Sequence, residues 1–454
     1  MKPNPDKSRG ESRRSFISKA TKLAAAVSAT GFLKTPVYGQ NQAPSANVTG
    51  ANNKIVVGVI GTGKQGTAHL RSLIEHASEN NIVIGAVCDL YQKHLNAARQ
   101  AANLTDANAF ADHRKLLERK DIDAVVCAPV DDWHAQVTID AIKAGKHVYC
   151  EKPMTRYVAE GWEVYDTVKR HKKVYTCGSQ FTADPMIHQA AKWIKDGKLG
   201  PLVWAQGSYC RNNKNSEWTF KPDPAEEANP TTIDWERWLG KVPKIPWNPE
   251  HYFSWHKFFA YNSGILGNLL SHRFYPLMLA TGNPEFPRRV CCTGTKKVST
   301  DREIPDTTHV LAEFPSGLTF VIAGTIVNQV GLPDIIRGRK ATLYLAANEN
   351  KIELRPEAIF SEELDQENFT DPKSFGKIEH LEKNFFDCIR SGGTPFCNVD
   401  LSVKANTTLC LAEMSERLGL TLFFDEKTRK ITTGDGRVVP PLTYDTVVPS
   451  LAQG

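Results

Sequence analysis

An apolar run, Ile55-Val56-Val57-Gly58-Val59-Ile60, leads straight into Gly61-Thr62-Gly63-Lys64-Gln65-Gly66, and a second apolar run from Ile82 to Cys88 ends in Asp89. The order is strand, glycine-rich turn, helix, strand, acid. Glycines at this spacing let the backbone turn tightly, approach a pyrophosphate and pack helix on strand, while the helix N-terminus offers unpaired N–H groups to the anion. Asp89 follows Gly66 by 23 residues, close to the offset of roughly 20 at which an acid hydrogen-bonds a ribose 2′-hydroxyl. The other reading of Asp89 is a cap on the helix that follows it. Either way, the first half of the chain is committed to a parallel, nucleotide-binding sheet.

The alternation continues after Asp89. A helix is expected from Tyr91 to Ala102, a short strand near Ala109, a helix from Asp112, a strand from Asp123 to Ala128 and a helix from Trp133 to Ala144. Gly145-Lys146 then turns into the strand His147 to Cys150, and Glu151-Lys152-Pro153 lies just past its end. Ligands of a doubly wound parallel sheet gather at the carboxyl ends of its strands, so Lys152 belongs at the mouth of the nucleotide site. A helix over 159–170 and a strand over 174–178 complete a first domain, expected over residues 53–180.

From Leu202 the pattern changes. Segments 203–210, 289–295, 309–314, 318–327 and 341–346 read as longer strands separated by turn signals, interrupted by one long helical stretch, 264–280. This predicts an α+β second domain over 181–435 with a mostly antiparallel sheet, followed by an extended tail, 436–454. The helical patterns 380–391 and 401–418 are expected to pack back across both domains.

A chain of 454 residues with 41% hydrophobic content can bury a large core. Its net charge of +6 resides entirely in residues 1–52, where eight Lys/Arg face two acids. The neutral remainder has no basic stripe, which argues against nucleic acid or an anionic membrane as partner. Within that basic start, Ser12-Arg13-Arg14-Ser15-Phe16-Ile17 resembles the twin-arginine export pattern. It precedes an Ala-rich apolar run, Ala20 to Leu33, that is too short to span a bilayer. Residues 1–39 are therefore expected to be an export signal to the periplasm and 40–52 a linker; a disordered basic arm is the alternative. Ten cysteines form no CxxC pair, and Cys88, Cys127 and Cys150 end buried strands. No metal site is expected, because His251 and His256 lack a third ligand at suitable spacing.

Four stretches together resemble the Gfo/Idh/MocA family, the relatives of glucose-fructose oxidoreductase and inositol dehydrogenase. They are Gly61 to Gly66, Ala128-Pro129 with Asp131-Asp132-Trp133-His134, Ala144 through Glu151-Lys152-Pro153, and Ile233-Asp234-Trp235-Glu236-Arg237-Trp238-Leu239-Gly240. The resemblance implies a Rossmann domain, a C-terminal α/β domain whose open sheet forms a homo-oligomer interface, tightly held NAD(P), and carbohydrate or polyol substrates. It places Gly61, Gly63, Lys64, Gln65, Gly66, Asp89, Pro129, His134, Glu151 and Lys152 at the cofactor. Asp89 favours NAD over NADP, since a carboxylate accepts from a 2′-hydroxyl and repels a 2′-phosphate.

Lys152 would hydrogen-bond the hydroxyl being oxidised, a cation aimed at developing negative charge. Family members commonly carry Asp, then His four residues on, then Asp three further along one helix. Here those positions are Asn268, His272 and Tyr275. His272 is the candidate general base, with a hydrogen-bonded structural histidine as its alternative. Asn268 cannot take a proton, so it would orient His272 or hold a substrate hydroxyl, and Tyr275 would donate to a sugar oxygen. Arg211 and Asn212 are candidates for the substrate wall. Five of the nine tryptophans, at 218, 235, 238, 247 and 255, crowd one segment, which suits a sugar face or plain core packing.

These readings predict an exported NAD-dependent oxidoreductase acting on a sugar, polyol or glycoside. A second reading is a glycosidase that works by transient oxidation and elimination, suggested by the altered residue at 268. A third is a non-catalytic sugar- or nucleotide-binding protein.

Overall fold

The computed structural model describes residues 54–346, 351–372 and 376–446. The export signal and linker expected over 1–52 lie outside the described residues.

Six strands form the first sheet: β1 (Ile55–Ile60), β2 (Ile82–Cys88), β3 (Ala109–Phe110), β4 (Ala124–Cys127), β5 (His147–Cys150) and β6 (Tyr175–Cys177). They lie in the order β3-β2-β1-β4-β5-β6, and every pairing is parallel. All four residues of β4 are buried, as are all three of β6. Strands covered on both faces read as continuous apolar runs rather than alternating ones, which is why their positions are legible in the sequence. The order reverses between β1 and β4, so the crevice at their carboxyl ends is the switch point where ligands of such sheets bind.

The second sheet has ten strands: β7 (Leu202–Cys210), β8 (Arg289–Thr295), β9 (Thr307–Glu313), β10 (Thr319–Thr325), β11 (Ile335–Gly338), β12 (Ala341–Ala346), β13 (Lys351–Pro356), β14 (Glu367–Thr370), β15 (Leu422–Asp425) and β16 (Lys430–Thr432). Their order is β14-β13-β12-β11-β7-β10-β9-β8-β15-β16. β7 and β10 pair in parallel, and the other pairings are antiparallel. In β9 and β10 the burial alternates residue by residue, the signature of a sheet with one face on the core.

Helices Ile378–Ser391 and Val399–Leu418 brace both sheets. The first packs on helix Lys64–Glu75 and β5, and the second on helix Val158–His171 and β8. At the second contact the Arg156 guanidinium, fully buried, pairs with Glu413, with Nη2 2.7 Å from Oε1. The extended segment after β16 is anchored through Tyr444, whose hydroxyl donates to the Asp132 carbonyl and to Glu160, each at 3.0 Å. Among the described residues no helix is long and apolar enough to cross a membrane.

The stretch expected as one helix over 264–280 divides. Leu266–Leu270 is π-helical, and Ser271–Ala280 is α-helical. Such π turns widen a helix locally and recur at functional sites.

Candidate active site

A cavity of about 690 Å³ opens at the switch point, lined from one side by the glycine turn and Lys152 and from the other by Asn268 and His272. On the first side, Gly61 has φ +81°, and a Cβ there would stand 2.5 Å from the Pro129 nitrogen. A Cβ on Gly66 would fall 1.7 Å from the Gly61 carbonyl oxygen, so this glycine lets the helix pack on the turn. Gly63 differs. Its added Cβ meets nothing nearer than His94 at 4.0 Å, and it precedes a helix with no side-chain cap. The unfilled space and free helix N–H groups make a cradle that fits a pyrophosphate.

Asp89 closes the other edge of this turn. Its Oδ2 accepts from the Thr62 backbone N–H at 2.6 Å and its Oδ1 from the Tyr91 N–H at 2.8 Å. The carboxylate is thus held on the cavity wall at the end of β2, where a ribose hydroxyl would meet it. Lys64 stands 5.5 Å from the centre of the Phe220 ring, and Gln65 turns inward to Glu151. Pro129 and His134 also line the cavity. The His134 Nδ1–H donates to the Pro153 carbonyl at 2.7 Å, so this ring holds the segment that follows Lys152.

Lys152 Nζ donates to the backbone carbonyl of Asn268 at 3.1 Å, a direct link between the two sides. The Asn268 side chain donates to Asn262 Oδ1 at 3.2 Å, away from His272. His272 is buried between Phe181, edge-on at 5.8 Å, and Tyr209, tilted at 5.5 Å. Its Nδ1 has no partner among the described residues. Burial first, and the Lys152 charge next, hold the imidazole well below its usual pKa, so it is neutral.

Two expected residues lie elsewhere. Tyr275 is fully buried, and its hydroxyl accepts from the Met154 N–H at 3.3 Å. Three residues beyond His272 a helix has turned the side chain about 60° back, toward the first sheet instead of the cavity. Asn212 is exposed and pairs through its backbone with Val327, because β7 has ended and the chain is leaving the cavity rim. Arg211, two residues past Tyr209, stays on the wall, donating to Glu217 at 2.9 Å and to the Tyr209 hydroxyl at 3.0 Å.

The aromatic segment also divides. Trp218 and Trp255 reach the cavity, where His256 lies stacked between them, 5.6 Å from the first ring and 3.7 Å from the second. Enclosure by these rings, with Lys152 and Lys64 nearby, lowers the His256 pKa to about 3. Trp235 is a packing residue, stacked on Trp238 at 4.8 Å.

Residues 55–179 match the family model described as "Oxidoreductase family, NAD-binding Rossmann fold", and residues 241–412 match "Oxidoreductase family, C-terminal alpha/beta domain". The chain belongs to the Gfo/Idh/MocA family. Family members similar to it include levoglucosan dehydrogenase of Pseudarthrobacter phenanthrenivorans, 31% identical over 130 residues, which are 28% of this chain and 33% of that protein. Another is α-N-acetylgalactosaminidase of Shewanella oneidensis, 25% identical over 186 residues, 39% of this chain and 38% of that protein. The chain thus spans about a third to two fifths of the length of these curated relatives. A solved levoglucosan dehydrogenase in complex with NADH and levoglucosan shares the fold, with a TM-score of 0.60 at 17% identity over 80% of this chain and 96% of that one. As in other Gfo/Idh/MocA oxidoreductases, the first sheet is an NAD-binding Rossmann fold, and the cradle at Gly63 is the place in this chain that suits the dinucleotide.

Two polar residues that support the site, His69 and Glu382, are not singled out by the motifs. His69 follows Gln65 by four on the same helix, which puts both on one face toward Glu151. Glu382 lies on the apolar stripe of its helix between buried Leu381 and Phe385, and an acid in such a stripe is the one signal that could have marked it.

Proposed function

We propose that the protein oxidises a hydroxyl of a sugar, polyol or glycoside with NAD. The observation that carries this reading is the meeting of Lys152 and His272 in one cavity with the glycine cradle. Bound NAD supplies the hydride acceptor. Lys152 donates to the reacting oxygen and stabilises its developing negative charge, and neutral His272 takes the hydroxyl proton. Asn268 presents its side chain to a second hydroxyl. Arg211 and the Trp218 and Trp255 rings form the substrate wall. The names of the levoglucosan- and galactosaminide-acting relatives support a carbohydrate substrate.

A second reading, an NAD-dependent glycosidase, is favoured by the Asn at 268 and by the α-N-acetylgalactosaminidase relative. Transient oxidation next to a ring C–H acidifies it and permits elimination of the aglycone; addition of water to the resulting double bond and return of the same hydride to the carbonyl would complete the cleavage with no net oxidation. The twin-arginine pattern of residues 12–17 supports export to the periplasm, where a retained and internally recycled cofactor suits this redox-neutral chemistry. Leu311 on β9, 48% exposed, supports self-association through the second sheet.

The test is to incubate the protein, purified without added nucleotide, with levoglucosan and with an aryl α-N-acetylgalactosaminide in deuterated water and to follow products by NMR. A keto sugar in proportion to bound NAD, increasing when NAD is supplied, is the expected result. Cleaved galactosaminide carrying ring deuterium selects the glycosidase. Protein that neither contains nor binds NAD overturns both. Cell fractionation of the full chain tests export.

A further inference from the structure

Behind Lys152 stands a chain of buried groups that the reaction above does not use. His69, on helix Lys64–Glu75, is 0% exposed. Its Nε2 is 2.8 Å from Glu151 Oε1, and its Nδ1 is 2.7 Å from Glu382 Oε1. Ser72 Oγ donates to the second Glu382 oxygen at 2.6 Å. Neutral imidazole has a single N–H, so two carboxylates on its two nitrogens call for imidazolium. Burial alone would lower the His69 pKa, but the hydrogen bonds and charges of Glu151 and Glu382 outweigh it and raise it to about 10. Burial likewise pushes Glu151 up, and the imidazolium, with the Lys152 charge, brings it down to about 2.

Both oxygens of Glu151 are thereby engaged. Oε1 accepts from His69 and from Gln65 Nε2 at 3.1 Å, and Oε2 accepts from the Lys152 N–H at 3.1 Å. We propose that His69 and Glu382 are positioning residues: they lock Glu151 as a fixed anion beside Lys152 and couple helix Ile378–Ser391 to the reacting end of the cavity. The proposal rests on the reading of Lys152 as the group that meets the reacting oxygen. Without the imidazolium, Glu151 would be a buried carboxyl with too few donors. It would take up a proton or rotate, and Lys152 would lose the hydrogen bond that fixes its backbone. The titratable groups facing this pair are Lys152, Asp131, Glu382, Tyr149 on β5, and His272 on helix Ser271–Ala280.

His69→Gln keeps a donor but no charge, and Glu382→Gln leaves His69 with one carboxylate. Both are assayed with NAD and whichever probe above, levoglucosan or the aryl galactosaminide, is turned over. In folded His69→Gln, kcat is expected to fall on the order of tenfold to a hundredfold with KM changed less than about threefold, the pattern of lost alignment. The acid limb of kcat/KM should move upward as Glu151 becomes protonatable. A merely structural clasp would lower the unfolding midpoint and leave that limb in place, and this result overturns the proposal. If His69→Gln does not fold, Glu382→Gln decides by the same two readouts, with a smaller shift. Independently of activity, histidine ¹⁵N NMR of the wild-type protein should show one ring doubly protonated from pH 6 to about 9 and absent in His69→Gln. A His69 ring titrating near its ordinary value overturns the proposal even if turnover is normal. Absence of turnover in the wild type would instead be a failure of the functional reading alone.

Discussion

On the wall built around the glycine turn, Asp89, Gln65 and Glu151 are each tied to other protein groups, whereas across the cavity His256 and His272 each keep a buried Nδ1 without a partner among the described residues. The first wall is already assembled for a ligand of known shape, a dinucleotide whose pyrophosphate needs a cradle and whose ribose needs an acid. The second retains open hydrogen-bonding capacity. A buried polar atom left unpaired costs free energy, so it persists where a ligand completes it. The contrast teaches that the fold fixes Asp89, Gln65 and Glu151 in advance, while the two imidazoles, like Asp131 at the end of β4, keep a hydrogen bond that a ligand can complete.

The contrast can be broken most directly by deleting the two groups that meet across it. Lys152→Ala should lower kcat/KM by about 10³-fold or more and His272→Ala by about 10²-fold in steady-state assays. Since the His272 pKa is held well below 6.5, the wild-type rate should show no acid limb near that pH.

A second pair of variants separates packing from binding on the cofactor wall. Gly66→Ala places a Cβ against the Gly61 carbonyl and should destabilise the fold by about 3 kcal/mol or more in urea titrations. Gly63→Ala meets open space and should change stability by less than about 0.5 kcal/mol, yet weaken NADH binding by fluorescence at least about tenfold.

The His69–Glu151 pair sharpens the comparison through pH. Glu151, depressed from 4.5 to about 2, contributes stability that is present above pH 4.5 and is lost as pH falls toward 2. His69, raised from 6.5 to about 10, contributes stability that is complete below pH 6.5 and is lost as pH rises toward 10. Their joint contribution is therefore greatest between about pH 4.5 and 6.5. The decline of the urea midpoint between pH 7 and about 9.5 should be shallower in His69→Gln. The smallest effect is expected for Tyr275→Phe, which removes one hydrogen bond to Met154. It should cost about 1 kcal/mol of stability and leave kcat within about twofold, since the hydroxyl faces away from the cavity.

Much of the first sheet is legible in the chain because its strands are continuous apolar runs punctuated by glycines; β5, for example, is expected and found at His147–Cys150. The second sheet is only partly so. β8 and β12 match their expected limits, but β11 and β14 to β16 run only three or four residues, too short for a period of two to stand out, and β13, though it alternates, lies outside the expected strands. Helix Pro185–Lys195 has a readable start, with Asp184 capping Met186 and Pro185 at the first position, but it lies between the two expected domain patterns, past residue 178 and before Leu202. In the site, Lys152 and His272 fall where motif spacing places them. Tyr275 and Asn212 do not, because spacing along a chain says nothing about which neighbour a side chain meets after the helix turns or the strand ends.

The sequence by itself determined the nucleotide-binding sheet and the lysine at its mouth, since each follows from local periodicity and short motifs, while the histidine opposite is marked by the family resemblance. Only the tertiary structure decided that helix Ile378–Ser391 brings Glu382 back over more than 300 residues to His69, that Tyr275 supports the core, and that His256 lies between two tryptophans. Those outcomes depend on burial and long-range packing, in which charge, donor count and distance are settled among residues remote in the chain.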